Sequence, residues 1–84
     1  MISKGQIQDT VKKYVLEEFL PGEDPAALTP DTAMISSGVL DSISTLKLVT
    51  FLEDEFKIHV KAHEADADHL DTLASISELI AGKL

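Results

Sequence analysis

The stretch that begins at Asp41 reads DSISTLKLVTFLEDEF through Phe56. On a helical wheel of about 100° per residue, a core-facing stripe covers an arc of roughly 100°. Five side chains of the stretch share such an arc: Thr45, Leu48, Val49, Leu52 and Phe56. Asp and Ser are favoured at helix starts because their side-chain oxygens accept free backbone N–H groups. The stretch therefore predicts an amphipathic helix from Asp41-Ser42 to about Phe56.

Two apolar residues of this helix, Ile43 and Leu46, do not join the stripe. On the wheel they lie more than about 90° from its middle. Single exposed apolar residues are normal on protein surfaces. Two of them beside a helix start favour a docking patch, so we expect both side chains to point at solvent or at a partner.

A long connection precedes the helix, at residues 21–40, and it contains all three prolines of the chain. A loop of this length in a small domain is unusual and tends to be functional. Its apolar side chains predict that it packs across the helices: Leu28, Met34, Ile35, Val39 and Leu40.

The first helix is predicted from its start and its period. Ser3 and Gln6 have the spacing of a capping box, in which each side chain satisfies a free backbone donor. Apolar residues then recur every four positions, and Pro21-Gly22 ends the pattern. The residues of this stripe are Ile7, Val11, Val15 and Phe19.

The C-terminal part predicts a short irregular or helical segment at residues 62–68 and a last helix from about Asp71-Thr72. One face of that helix is apolar: Leu73, Ile76, Leu79 and Ile80. The chain thus predicts an all-α fold, a small four-helix bundle of three long helices and one short helix, with a long loop between helices 1 and 2. With 84 residues, we expect a single domain over residues 1–84.

The net charge of the chain restricts the classes of partner that it is expected to bind. Seven basic residues, all of them Lys, stand against 15 acidic ones, which gives a formal charge of −8. Such a surface repels nucleic acid and anionic membranes and favours basic patches on partners. There is no Cys and no apolar run of signal-peptide or membrane-spanning length. We expect a cytoplasmic protein with no nucleic-acid partner and no membrane insertion.

The sequence predicts neither an enzyme nor a metal site. No His is placed to serve as a base for Ser42, and no Gly-x-Ser-x-Gly elbow occurs. The acids of residues 66–71 do not have the spacing of a calcium-binding loop. His59 and His63 lack the further ligands of a zinc site.

Residues 37–43 read SGVLDSI, and Leu46, Leu48-Val49, Leu52-Glu53 and Phe56 follow. This pattern resembles the phosphopantetheine attachment region of carrier proteins, a family that includes acyl carrier proteins, peptidyl carrier domains and stand-alone aminoacyl carriers. The resemblance implies that Ser42 bears a covalent 4′-phosphopantetheine derived from coenzyme A. Acyl groups would be held as thioesters on the thiol of that arm, and partner enzymes would perform the chemistry.

The resemblance also implies partners and the residues that meet them. Asp41 would contact a phosphopantetheinyl transferase as well as cap the helix, and Ile43 and Leu46 would contact partner enzymes. The expected partners are that transferase, an adenylate-forming acyl or aminoacyl ligase, and a downstream acyl-accepting enzyme. A carrier of this kind is expected to be a monomer.

Two departures indicate the kind of carrier. Val39 and Leu40 separate Gly38 from Asp41, whereas carriers of fatty-acid synthesis typically have one residue there. Those carriers also place acidic residues just after the serine, where this chain has Ser44 and Lys47. Together with residues 63–72, the pattern looks more like the D-alanyl and other aminoacyl carriers. We expect an amino acid or a small acyl group as cargo.

A second hypothesis needs no prosthetic group. The chain would be an acidic helical adaptor whose apolar patch binds one partner and whose Ser42 only caps a helix. The two hypotheses differ in the Ser42 hydroxyl, which a carrier needs and an adaptor does not.

Overall fold

The computed structural model describes residues 3–84, and these form helices, turns and loops without a strand. The four α-helices are Lys4–Glu18 (α1), Ser42–Phe56 (α2), Ala67–Leu70 (α3) and Leu73–Ala81 (α4). Two short 3₁₀ turns, Pro25–Ala27 and Ala62–Glu64, lie in the connections. The predicted all-α, four-helix architecture is confirmed.

Helix α1 begins as its capping box predicts. The Gln6 amide donates to the Ser3 hydroxyl at 3.2 Å, and the Ser3 amide donates to the Gln6 side chain at 2.9 Å. The helix ends at Glu18, before the predicted stop at Pro21-Gly22. Phe19 therefore follows the helix and is half-buried, whereas the rest of the stripe is fully buried: Ile7, Val11 and Val15.

The long loop packs across the helices, as its composition predicts. It buries Leu28, Met34 and Leu40, each at most 2% exposed, and Ile35 and Val39 pack against the same core. The loop contributes a fixed part of the hydrophobic core, so the chain that leads to α2 is anchored close to where that helix begins.

The segment before α4 differs in detail from the prediction. The short α-helix spans Ala67–Leu70 and so extends beyond the predicted residues 62–68. The Asp66 side chain caps it by accepting from the His69 amide at 3.2 Å, and Leu70 is fully buried. Thr72 caps α4 and accepts from the Ser75 amide at 3.0 Å, which confirms the predicted start of the last helix.

The helices share one core, in which α1 packs against α4 and α2 joins through its buried stripe. Tyr14 of α1 stacks on Phe51 of α2 with ring centroids 4.0 Å apart, and its hydroxyl donates to the Lys47 carbonyl at 3.2 Å. These contacts hold α2 by its inner side and leave its N-terminus and outer face to solvent.

Candidate functional site

The site is built around the first turn of α2. Asp41 caps this helix: its carboxylate accepts from the Ser44 amide at 2.7 Å, and its carbonyl accepts from the Thr45 hydroxyl at 2.7 Å. Hydrogen bonds from Ser44, above all from its amide, lower the pKa of Asp41 below its ordinary value. Ser42 is the first residue of the helix and is exposed. Its hydroxyl therefore lies at the positive end of the helix dipole, which favours an anion.

The loop reaches Asp41 through a compact turn. Gly38 has a φ angle of 89°, a left-handed conformation that favours glycine, and nothing lies within 4 Å of a Cβ built on it. Backbone conformation rather than space explains this glycine. The turn is closed by two amide donors: Gly38 to the Ile35 carbonyl at 3.1 Å, and Leu40 to the Met34 carbonyl at 2.9 Å.

Asp71, between α3 and α4, holds this turn from the other side. One of its carboxylate oxygens accepts from three consecutive amides, those of Met34 at 3.0 Å, Ile35 at 2.7 Å and Ser36 at 2.9 Å. The other oxygen accepts from the Ser36 hydroxyl at 2.7 Å. These hydrogen bonds, led by that from the Ser36 hydroxyl, lower the pKa of Asp71 below its ordinary value.

The sequence did not predict this role of Asp71, which we expected only to open the last helix. A signal was present, because Asp71 directly precedes Thr72 and both residue types cap helices well. One cap is sufficient for α4, and Thr72 supplies it. The second residue was therefore free to bind elsewhere.

A solvent-open cavity of about 540 Å³ lies beside Ser42. Residues from the loop, from α2 and from the segment before α3 line it: Ile35, Leu40, Asp41, Ser42, Thr45, Leu46, Ala65 and Asp66. The two charged side chains of this lining are carboxylates, and the remaining side chains are mostly apolar.

The outer face of α2 carries the two apolar side chains that the helical wheel excludes from the core. Ile43 is 68% exposed and Leu46 is 64% exposed, so their predicted orientation is confirmed. Lys47 is exposed beside them, and Ser44 is half-buried. This face is thus apolar and, over its first two turns, bears a positive charge rather than acidic residues.

Two of the three histidines lie beside surface carboxylates. His59 is 3.2 Å from Glu53 and His69 is 2.9 Å from Asp66. Within residues 3–84, no group of three or more His, Cys, Asp or Glu side chains is arranged to hold a metal ion.

A model of the phosphopantetheine attachment site family matches residues 15–80, which is most of the chain and includes the loop, α2 and the whole cavity lining. The chain belongs to this family. Members are non-catalytic acyl carriers with a covalent 4′-phosphopantetheine, so the predictions of family, cofactor and non-enzymatic role are confirmed. Membership also decides between the two hypotheses in favour of the carrier and against an adaptor that has no prosthetic group.

Family membership implies interaction with a phosphopantetheinyl transferase and with acyl-handling enzymes. It does not distinguish the D-alanyl and aminoacyl carriers from the other branches. Among the described residues, none of the helices has the length and hydropathy that a membrane crossing requires.

Proposed function

We propose that Ser42 is the residue that bears the phosphopantetheine arm. The observation that carries this assignment is the position of Ser42, which is exposed at the N-terminus of α2 and borders the 540 Å³ cavity. In the attachment step, the Ser42 oxygen bonds to the phosphorus next to pantetheine in coenzyme A, the hydroxyl proton is lost, and the nucleotide half leaves. The new phosphodiester then lies where the helix dipole favours a negative charge.

Ile43 and Leu46 form the docking patch for partner enzymes in this proposal, and Asp41 contacts the transferase. The support is that both apolar side chains are about two-thirds exposed and lie within the first two turns after Ser42. An exposed apolar pair beside a reactive residue is typical of an interaction surface. Residues 1–84 then act as one monomeric carrier domain in the cytoplasm.

The cargo in this proposal is an amino acid or another small acyl group, loaded by an adenylate-forming ligase and passed to a downstream acyl-accepting enzyme. The Gly38-x-x-Asp41 spacing and the exposed Lys47 support a carrier outside fatty-acid synthesis. The cavity adds a second argument, because the Asp41 and Asp66 carboxylates border it and no basic side chain does. Such a lining favours an ammonium group over a carboxylate.

The attachment residue is tested by digesting protein that has been loaded by a transferase and sequencing the modified peptide by tandem mass spectrometry. We expect the phosphopantetheinyl group on Ser42. Its appearance on the neighbouring Ser44, or on Ser36 or Ser37 of the loop, would contradict the assignment.

The cargo is tested by loading the arm in turn with an aminoacyl group and with a succinyl group of similar length, then comparing amide chemical shifts. We expect the aminoacyl form to perturb Ala65 and Asp66, because these residues border the cavity. Equal or larger perturbation by the succinyl form would contradict the preference for an ammonium group.

A further inference from the structure

Asp71 joins two of the three sides of the cavity beside Ser42. The loop forms one side through Ile35 and Leu40, and the residues before α3 form the second, including Asp66. Asp71 directly follows α3, and its carboxylate accepts four hydrogen bonds from the loop. The two sides are therefore tied together by a single side chain.

We propose that Asp71 is a positioning residue for the attachment of phosphopantetheine at Ser42. The inference rests on the proposed function, because it takes Ser42 as the attachment residue. Asp71 acts through the turn at residues 34–40, which it holds against α3 and α4, and this turn leads directly into Asp41-Ser42.

Asp71 holds the turn firmly because its carboxylate is a strong hydrogen-bond acceptor. Hydrogen bonds to a carboxylate are roughly twice as strong as those between neutral groups, and here three amides converge on one oxygen. Without that charge, the long loop keeps two backbone contacts to this region: the Met34 amide to the Asp71 carbonyl at 2.7 Å, and the Ala74 amide to the Pro30 carbonyl at 3.1 Å. The loop then stays attached, but the Ile35 and Ser36 amides are held more weakly.

A transferase that acts on Ser42 must meet the surface around it, and the turn is part of that surface. Loosening the turn lowers the fraction of molecules in the arrangement that the transferase binds. The apparent affinity of the transferase for the protein falls in proportion to that fraction. The chemical environment of the Ser42 hydroxyl changes less, because Asp41 still caps α2. The loss of Asp71 should therefore raise KM more than it lowers kcat.

The experiment compares three variants of the full chain with the wild type. Asp71→Asn removes the charge at nearly constant shape, and Ser36→Ala removes one of the four hydrogen bonds. Asp68→Asn is the matched control, since it makes the same charge change at an exposed position of α3. The measurements are hydrogen exchange at the amides of Met34, Ile35 and Ser36, and the kcat and KM of a phosphopantetheinyl transferase for each protein.

For Asp71→Asn we expect faster exchange at the Ile35 and Ser36 amides and a roughly tenfold fall in kcat/KM that lies mainly in KM. The Met34 amide should change little, because it keeps its 2.7 Å hydrogen bond to the Asp71 carbonyl. Ser36→Ala should show a smaller change of the same kind, and Asp68→Asn should match the wild type. Because Ser36→Ala removes one contact only, it serves as the test if Asp71→Asn does not fold.

Unchanged exchange at the Ile35 and Ser36 amides would overturn the inference alone, and so would faster exchange there with wild-type KM. A fall confined to kcat would also contradict it. If the wild type itself takes up no arm, the proposed function fails and the positioning role falls with it, so the two failures are distinguishable.

Discussion

At the start of α2, the Asp41 carboxylate accepts a hydrogen bond from the Ser44 amide at 2.7 Å while remaining exposed. An exposed cap can also serve as a contact for a partner, and a substitution can separate the two roles. Asn caps a helix about as well as Asp but carries no charge. Ala neither caps a helix nor carries a charge.

We therefore predict that Asp41→Asn leaves the free energy of unfolding close to that of the wild type but lowers kcat/KM for the transferase. Asp41→Ala should lower both quantities. The measurements are urea unfolding and steady-state kinetics on the same preparations. If Asp41→Asn retains full kcat/KM, Asp41 is a cap and no more.

Glu64 and Lys83 form the most enclosed ion pair of the described residues. Their charged atoms are 2.8 Å apart, and the side chains are only 15% and 19% exposed. The hydrogen bond from Lys83, together with that from the Lys61 amide, lowers the pKa of Glu64 from 4.5 to about 2. This pair ties the C-terminal end of the chain to the Ala62–Glu64 turn.

A depressed pKa means that the pair stabilises the fold fully above the ordinary pKa of 4.5 and loses this contribution as pH falls toward 2. We predict that Glu64→Gln is less stable than the wild type near neutral pH and that the difference shrinks steadily in acid. Urea unfolding across this pH range measures it. Glu55→Gln makes the same charge change at an exposed position of α2 and is the matched control. A difference for Glu64→Gln that does not depend on pH would contradict the account.

At the scale of the element, α2 divides its apolar residues between two faces. Leu48 and Leu52 are fully buried, whereas Ile43 and Leu46 are largely exposed. The buried face serves folding, and the exposed face is the one that we propose contacts partners. Substitutions on the buried face should therefore lower stability, whereas those on the exposed face should weaken partner binding.

We predict that Leu46→Ala changes the free energy of unfolding by less than about 0.5 kcal/mol and weakens transferase binding. Leu48→Ala should cost about 2 to 5 kcal/mol, because it opens a cavity in the core. Leu84→Ala is the matched control: Leu84 is 59% exposed at the far end of the chain, so neither stability nor binding should change. If Leu46→Ala and Leu84→Ala bind the transferase equally well, the docking patch is disproved.

The loop depends on Gly38, and a pair of glycine substitutions tests this. Gly38 has a φ angle of 89°, whereas Gly5 lies within α1 and a Cβ there meets only the Ser3 hydroxyl, at 3.9 Å. We predict that Gly38→Ala destabilises the fold by about 1 kcal/mol or more, and that Gly5→Ala stabilises it by up to about 1 kcal/mol. Thermal unfolding measures both. Equal effects of the two substitutions would show that the turn does not require this conformation.

The elements that local rules govern were predictable. The capping box at Ser3 and Gln6, the four-residue period of α1 and the Asp41 cap each depend on residues within one or two turns of the helix. The exposure of Ile43 and Leu46 follows from the same helical geometry. These features are therefore visible in the sequence before any packing is known.

Tertiary contacts were not predictable in this way. Asp71 binds Ser36, 35 residues away, and no period or cap pattern connects the two positions. The cavity beside Ser42 depends on how three separate segments pack, so neither its volume nor the part played by Asp66 could be read from the sequence.

At the scale of the whole molecule, the formal charge of −8 and the exposed first turn of α2 suit delivery rather than catalysis. The core is shared by all four α-helices and the long loop, and it fixes the position of one exposed serine. The central claim is that a single hydroxyl, that of Ser42, accepts the arm.

The most direct test is the intact mass of the protein after incubation with coenzyme A, Mg²⁺ and a phosphopantetheinyl transferase. The wild type and Ser44→Ala should each gain one phosphopantetheinyl group, and Ser42→Ala should gain none while remaining folded. A gain by Ser42→Ala, or no gain by folded wild type with several transferases, would contradict the assignment.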